Sequence, residues 1–133
     1  MTITSAICNS FKQEILVGTH NFTASSGNTF KLSLYSSDSA TLSKSTTAYS
    51  AKGKALTSVT PTLSTDTAVC DFADVSWTSA SFTANGCLIF NDSATGDPAV
   101  CAIAFGGDKT VSSGTFTVQF PAAAATTAII RIA

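Results

Sequence analysis

Residues 67–107 read TAVCDFADVSWTSASFTANGCLIFNDSATGDPAVCAIAFGG, and the fold turns on how that stretch divides. Apolar and β-prone residues gather in TAVCDFADVSW (67–77), SFTANGCLIFND (81–92) and PAVCAIAFGG (98–107), with Ser, Asp, Asn and Gly between them. Together with ALTSVTPTL (55–63) these short runs recur at intervals of roughly 8 to 14 residues, the spacing of strands in a sandwich or barrel. Downstream, TFTVQFP (115–121) puts Phe116, Val118 and Phe120 on one face, and Pro121 suits a strand end because it cannot donate a ladder hydrogen bond. Upstream, TFKLSLYS (29–36) alternates, with Phe30, Leu32 and Leu34 on one face and Lys31, Ser33 and Tyr35 on the other. The final run TAIIRIA (127–133) brings the expected total to about eight strands. AFGGDKTVSSG (104–114) has paired glycines and a lysine but neither GxxxxGK[ST] spacing nor a helix-forming sequence after it. It is expected as a wide hairpin loop.

Before the first strand, Ile7, Phe11, Ile15 and Leu16 recur at helical spacing, Asn9 or Ser10 stands near the start, and Gly18 is available as a C-terminal cap. One short helix is predicted near residues 7–17, packed on the sheet through Phe11 and Ile15. Residues 36–54 lack a sustained period and hold Lys44, Lys52 and Lys54, three of the seven basic residues. They read as a long surface excursion.

The bulk composition agrees with an all-β chain. Its 133 residues suit one domain spanning 1–133, and a chain of that size buries roughly two-thirds of the surface its unfolded form exposes. Charged residues make up 11% of the chain, against about 25% in a typical soluble domain. Ser and Thr supply roughly 30%. The outward faces must therefore be hydroxyl-rich and nearly neutral, and Thr with nine Phe favours pleated, half-buried surfaces. A net charge of -1 and scattered basic residues offer no concentrated field for phosphates or anionic lipid, so neither nucleic acid nor a membrane is expected as a partner. The start, MTITSAICNSFKQEILVG, lacks a basic n-region and a continuous apolar h-region, and export by a signal peptide is not expected.

Cys8, Cys70, Cys87 and Cys101 match no zinc spacing, and a domain of this size stands without disulfides. Free thiols in the core are expected, with one disulfide as the alternative. The sequons at Asn21 (NFT) and Asn91 (NDS) carry little weight in a chain without an export signal. His20 is the sole histidine, and a nucleophile would need a base and an orienter converging on it. A structural hydrogen bond is the expectation. Glu14, the sole Glu, falls on the predicted helix, while the pairs Asp71/Asp74 and Asp92/Asp97 sit at turns, where Asp caps its own backbone. NDSATGDPA (91–99) gathers Asn91, Asp92, Ser93, Thr95 and Asp97 in a loose echo of a calcium loop, yet lacks the closing Glu and the length. Trp77 alternates with Val75 and reads as core or subunit contact rather than a sugar platform. No catalytic residue, metal, cofactor or small-molecule substrate is expected.

Five phrases, FKQEILVGTHNF (11–22), FKLSLY (30–35), TAVCDFADVSWTSASFTANGCLIF (67–90), AFGGDKTVSSGTFTVQFP (104–121) and AIIRIA (128–133), together resemble a family of small virion proteins of tailed bacteriophages, especially short-tailed ones. Phe11, Lys12, Gly18, His20, Phe22, Phe72, Trp77, Gly106, Gly107, Asp108 and Pro121 are its most recognisable positions. The chain departs from the family at residues 50–56, where its members carry a longer Gly/Thr-rich loop. The resemblance implies a jelly-roll-like β-sandwich and a capsid cement or decoration protein, seated as a homo-oligomer on the exterior of the major capsid protein lattice after synthesis in the host bacterial cytoplasm.

Hydroxyl-rich, charge-poor faces suit such a role, because covering them desolvates little charge. The expected partner contacts are the basic excursion, at Lys44, Lys52 and Lys54, and the final strand, at Ile129, Ile130, Arg131 and Ile132, which has little reason to face water unpaired. The alternative is a tail- or fibre-associated adhesion module binding a host surface glycan, for which Tyr35, Tyr49 and Trp77 are few and dispersed in sequence.

Overall fold

FKLSLY forms strand β2 (Phe30–Tyr35), and its alternation buries Phe30 and Leu32 completely. In the computed structural model, which describes residues 3–36, 41–43, 45–46 and 53–132, the other elements are β1 (Ala6–Ile7), α1 (Asn9–Leu16), β3 (Lys54–Ala55), β4 (Ser58–Ser64), β5 (Thr67–Phe72), β6 (Val75–Asn91), β7 (Ala99–Val118) and β8 (Ile130–Ile132). They make two antiparallel sheets, one in the order β1-β7-β6-β2-β3 and one in the order β4-β5-β8. The protein is an all-β sandwich with one short helix.

The helix is shorter than its apolar spacing suggested. Ile7 belongs to β1, opposite Cys101 of β7, and Leu16 lies 85% exposed, so Phe11 is the one fully buried side chain of α1. Gly18 ends the helix as expected. At φ 77° it lets its own N–H reach the Ile15 carbonyl (3.4 Å) and the Thr19 N–H reach the Glu14 carbonyl (3.0 Å), the paired bonds of a Schellman cap.

The stretch from 67 to 121 divides differently from the expected runs. TAVCDFADVSW breaks after Phe72, and its tail joins SFTANGCLIFND in the 17-residue β6. PAVCAIAFGG and TFTVQFP fuse into the 20-residue β7, so AFGGDKTVSSG is strand and not a hairpin loop. The residues that read as turn signals form bulges instead. The β6–β7 register shifts between Trp77 and Ala80, between Ala80 and Phe82, and between Ala84 and Gly86. Ser79 (φ 50°), Ser113 (φ 48°), Gly106 (φ 76°) and Gly107 (φ 146°) supply the left-handed backbone these bulges need. Gly86 answers another demand. A Cβ there would lie 2.6 Å from the Ile103 carbonyl oxygen and 2.7 Å from Ile3, so no side chain fits between the two.

The core lies where the sheets meet. Phe22 stacks on Phe30 at 4.2 Å, Phe30 meets Phe72 of β5 at 5.8 Å, and Phe72 meets Phe120 at 5.7 Å. These rings tie the loop after α1, the large sheet, the small sheet and the exit from β7 into one cluster with Leu88, Ile89, Phe90 and Val100. Each such side chain contributes about 1.5–3 kcal/mol of burial. The run AIIRIA supplies β8, which pairs with β5 at the edge of the small sheet, Cys70 opposite Ile130 and Ala68 opposite Ile132.

Candidate interaction surface

The groups with chemical potential are enclosed. The His20 side chain is fully buried, its Nε2 lies 3.0 Å from Glu14 Oε1, and its Nδ1 lies 3.1 Å from Asn91 Nδ2. Asn91 Oδ1 already accepts the Ser93 (2.9 Å) and Ala94 (3.2 Å) N–H groups, which fixes the amide so that Nδ2 donates. Nδ1 therefore accepts and Nε2–H donates to Glu14. The same Nδ2 donates to Asn28 Oδ1 (3.0 Å), whose oxygen also accepts the Asn21 N–H (2.8 Å). One polar hub thus pins α1, the loop after it and the turn at residues 92–98. The expected structural role of His20 agrees with this geometry. Within the calcium-like loop, Asn91 is spent on that hub and Asp92 pairs with Lys31 at 3.0 Å. Among the described residues no cluster of three or more His, Cys, Asp or Glu could hold a metal ion, and no helix is long and apolar enough to cross a membrane.

All four cysteines are free and buried. Burial pushes the Cys8 thiol up to about 11, with the Glu14 charge adding to it, and pushes Cys70 and Cys87 up to about 12, Cys70 with a further contribution from Asp71. Cys101 is raised as well. Asp71 is buried in β5, which raises its carboxyl, while its Oδ1 accepts the Phe72 N–H at 2.8 Å.

What faces outward is the far half of the β6–β7 hairpin. β2 flanks β6 only along residues 86–91, and β1 flanks β7 only at 101–102, so residues 75–84 and 109–118 pair with each other and, among the described residues, with no other strand. Their hydroxyls pair across the ribbon: Ser76 Oγ with Thr117 Oγ1 (2.8 Å) and Thr83 Oγ1 with Thr110 Oγ1 (2.9 Å). Asn85 Nδ2 donates to Asp108 Oδ1 at 3.0 Å beside the bulge. Trp77, opposite Phe116, and Phe82, opposite Val111, form an aromatic group around Phe116, at 6.1 Å and 5.0 Å from it.

Two concavities adjoin this ribbon. A groove of about 520 Å³ runs along β7, walled by Ile103, Phe105, Phe116, Val118, Phe120 and Ile129, with Lys109 as its one charged wall residue and no wall residue from β6. A shallower cavity of about 410 Å³ brings Tyr35 and Trp77 together with Leu34 and Phe82. Two aromatics that are dispersed in sequence thus share one site; Tyr49 lies outside the described residues.

The expected contact residues separate. Lys44 and Lys52 lie outside the described residues. Lys54 is engaged within the chain, its Nζ donating to the Ser76 carbonyl and sitting 5.5 Å from the Trp77 ring centroid. Ile130 points into the core and Ile129 packs partly against it, whereas Arg131, which donates to the Ala125 carbonyl at 3.1 Å, and Ile132, 56% exposed, face outward. Lys109 and the groove are missing from the expected contacts, because AFGGDKTVSSG reads as a loop in the sequence; the alternation of TFTVQF is the signal that β7 extends back toward them. No family model, curated protein or solved structure matches the chain.

Proposed function

We propose that the protein is a structural virion component of a tailed bacteriophage, a cement or decoration protein bound on the exterior of the major capsid protein lattice. The observation that carries this reading is the far half of the β6–β7 ribbon. Its hydroxyls are neutral and exposed, and two cross-strand pairs meet part of their hydrogen bonding, so a partner covers them without desolvating charge. A lattice-bound protein gains by many such weak contacts, and it stabilises the shell simply by binding the assembled state better than any other. The family resemblance supports the same role and carries with it the finer jelly-roll connectivity and homo-oligomeric state. A carboxylate in the ribbon tests the reading. Thr83→Glu should leave the fold intact and abolish co-sedimentation with shells lacking the protein, which the unmodified chain should occupy. Full occupancy by the variant would remove the ribbon from the interface, and no binding by the unmodified chain would remove the capsid role.

The second reading, a glycan-binding adhesion module, draws on the cavity shared by Tyr35, Trp77 and Phe82. The Lys54 ammonium over the Trp77 ring competes for the surface on which a sugar would stack. Quenching or enhancement of the single tryptophan's emission by host glycans would favour this reading over the first.

A further inference from the structure

The groove along β7 has a counterpart on another part of the same chain. β4 and β5 join through a two-residue turn, Ser64 pairing with Thr67 around Thr65 and Asp66, and Thr65 takes a φ of 55° to close it. The tip carries Leu63, 73% exposed, and Asp66, whose carboxylate has no hydrogen-bond or ion-pair partner among the described residues. The groove offers the complement: an apolar wall and the Lys109 ammonium, likewise unpaired among the described residues. We propose that the β4–β5 tip of one copy docks in the β7 groove of a second copy, Leu63 entering the apolar slot and Asp66 pairing with Lys109.

Charge complementarity selects this tip from the exposed apolar side chains. Leu16 and Val17 stand beside Glu14, whose carboxylate is committed to His20, and Ile132 stands beside Arg131, which repels Lys109. Pro61 lacks an N–H within β4, and the β4–β5 register slips between Val59 and Thr62. Both features discourage edge-to-edge strand pairing along β4, leaving side-chain insertion at the tip as the mode of contact. Knob and groove belong to different elements, so two copies close as a dimer where each tip enters the other's groove, and the contact propagates head to tail where only one does. One inserted side chain with one rim ion pair falls short of the roughly 1,000 Å² of a stable interface. Association is therefore weak in dilute solution and strengthens wherever copies are held close together on a common surface. The contact stands whether or not that surface is a capsid.

Sedimentation equilibrium of the full chain, from about 10 μM to about 1 mM, tests it, the upper limit matching the effective concentrations that tethering provides. The weight-average mass should rise with concentration. Lys109→Asp, Asp66→Lys and Leu63→Ser should each weaken association at least about tenfold, a loss of 1.4 kcal/mol, with unchanged thermal unfolding, and Asp66→Lys combined with Lys109→Asp should restore it. A chain that stays monomeric throughout the range overturns the proposal. So does association that survives either single charge reversal, or a double reversal that fails to rescue.

Discussion

The two halves of the β6–β7 hairpin share one ladder and differ in almost everything else. Near the turn, residues 86–91 and 99–102 are all buried, flanked by β2 and β1. Beyond Gly86, residues 75–84 and 109–118 continue the same hydrogen bonds with no flanking strand among the described residues, and their hydroxyls face water. A lone two-stranded ribbon is marginal in water. The far half is therefore ordered by its covalent continuity with the anchored half, by its own cross-strand pairs, by Val75 in the core with Trp77 and Val118 packed against it, and by the Lys54 contact to the Ser76 carbonyl. Strand length here follows the ladder, while burial follows the neighbours.

The largest test of that contrast is a truncation in the anchored half. Phe90→Ala, at a side chain with no exposure, should cost about 3–5 kcal/mol in urea unfolding, whereas Thr83→Ala should cost no more than about 0.5 kcal/mol. Comparable costs would mean the two halves share one core. Asn91→Ala should come next. It strips partners from His20 Nδ1, Asn28 Oδ1 and the Ser93 and Ala94 N–H groups, and should cost about 1–3 kcal/mol, with faster amide exchange at Ser93 and Ala94.

Alkali probes the same half through its thiols. Cys8 is held near 11, and Cys70 and Cys87 near 12. In the unfolded chain a thiol loses its proton near its ordinary value of about 8.5–9. Between those values the folded state binds more protons than the unfolded one, so stability is complete below about pH 9 and declines as pH rises toward 11–12. Each thiol should contribute about 1.4 kcal/mol per pH unit to that decline. Urea midpoints at pH 8 and pH 10 should show it, and Cys87→Ala should make the difference smaller. The smallest effect belongs to the ribbon: a double-mutant cycle on Thr83 and Thr110 should return a coupling of about 0.2–1 kcal/mol. Zero coupling would show that this hydroxyl pair adds nothing to the continuity and core packing that hold the far half.

Local chemistry made part of this legible in the sequence. The strand at FKLSLY, the cap at Gly18 and the apolar settings of Cys70, Cys87 and Cys101 each depend on a few adjacent residues, and each appears as expected, except that within the strand Ser33 is buried and Leu34 only half-buried. The length of β6 and β7 was hidden because Ser, Gly and Asp have two uses, turning a chain or bulging a strand, and only the partner strand decides between them. The groove was hidden for the same reason. The hub around His20 depends on Asn91, 71 residues away, a distance no local pattern spans. The same holds for Lys54, whose attachment to Ser76 and Trp77 follows from β3 joining the sheet beside β2.

Sealing the thiols has a further consequence for the life of the molecule. Attack on an oxidant, an alkylating agent or a foreign disulfide requires the thiolate, and at pH 7 a group held near 11 is ionised in only about one molecule in ten thousand. Passage between reducing and oxidising surroundings should therefore leave the four buried thiols unmodified as long as the chain stays folded. A cysteine introduced on the ribbon, as in Thr110→Cys, becomes the single reactive handle on the folded protein, ready to carry a fluorophore or a crosslinker to whatever covers that face.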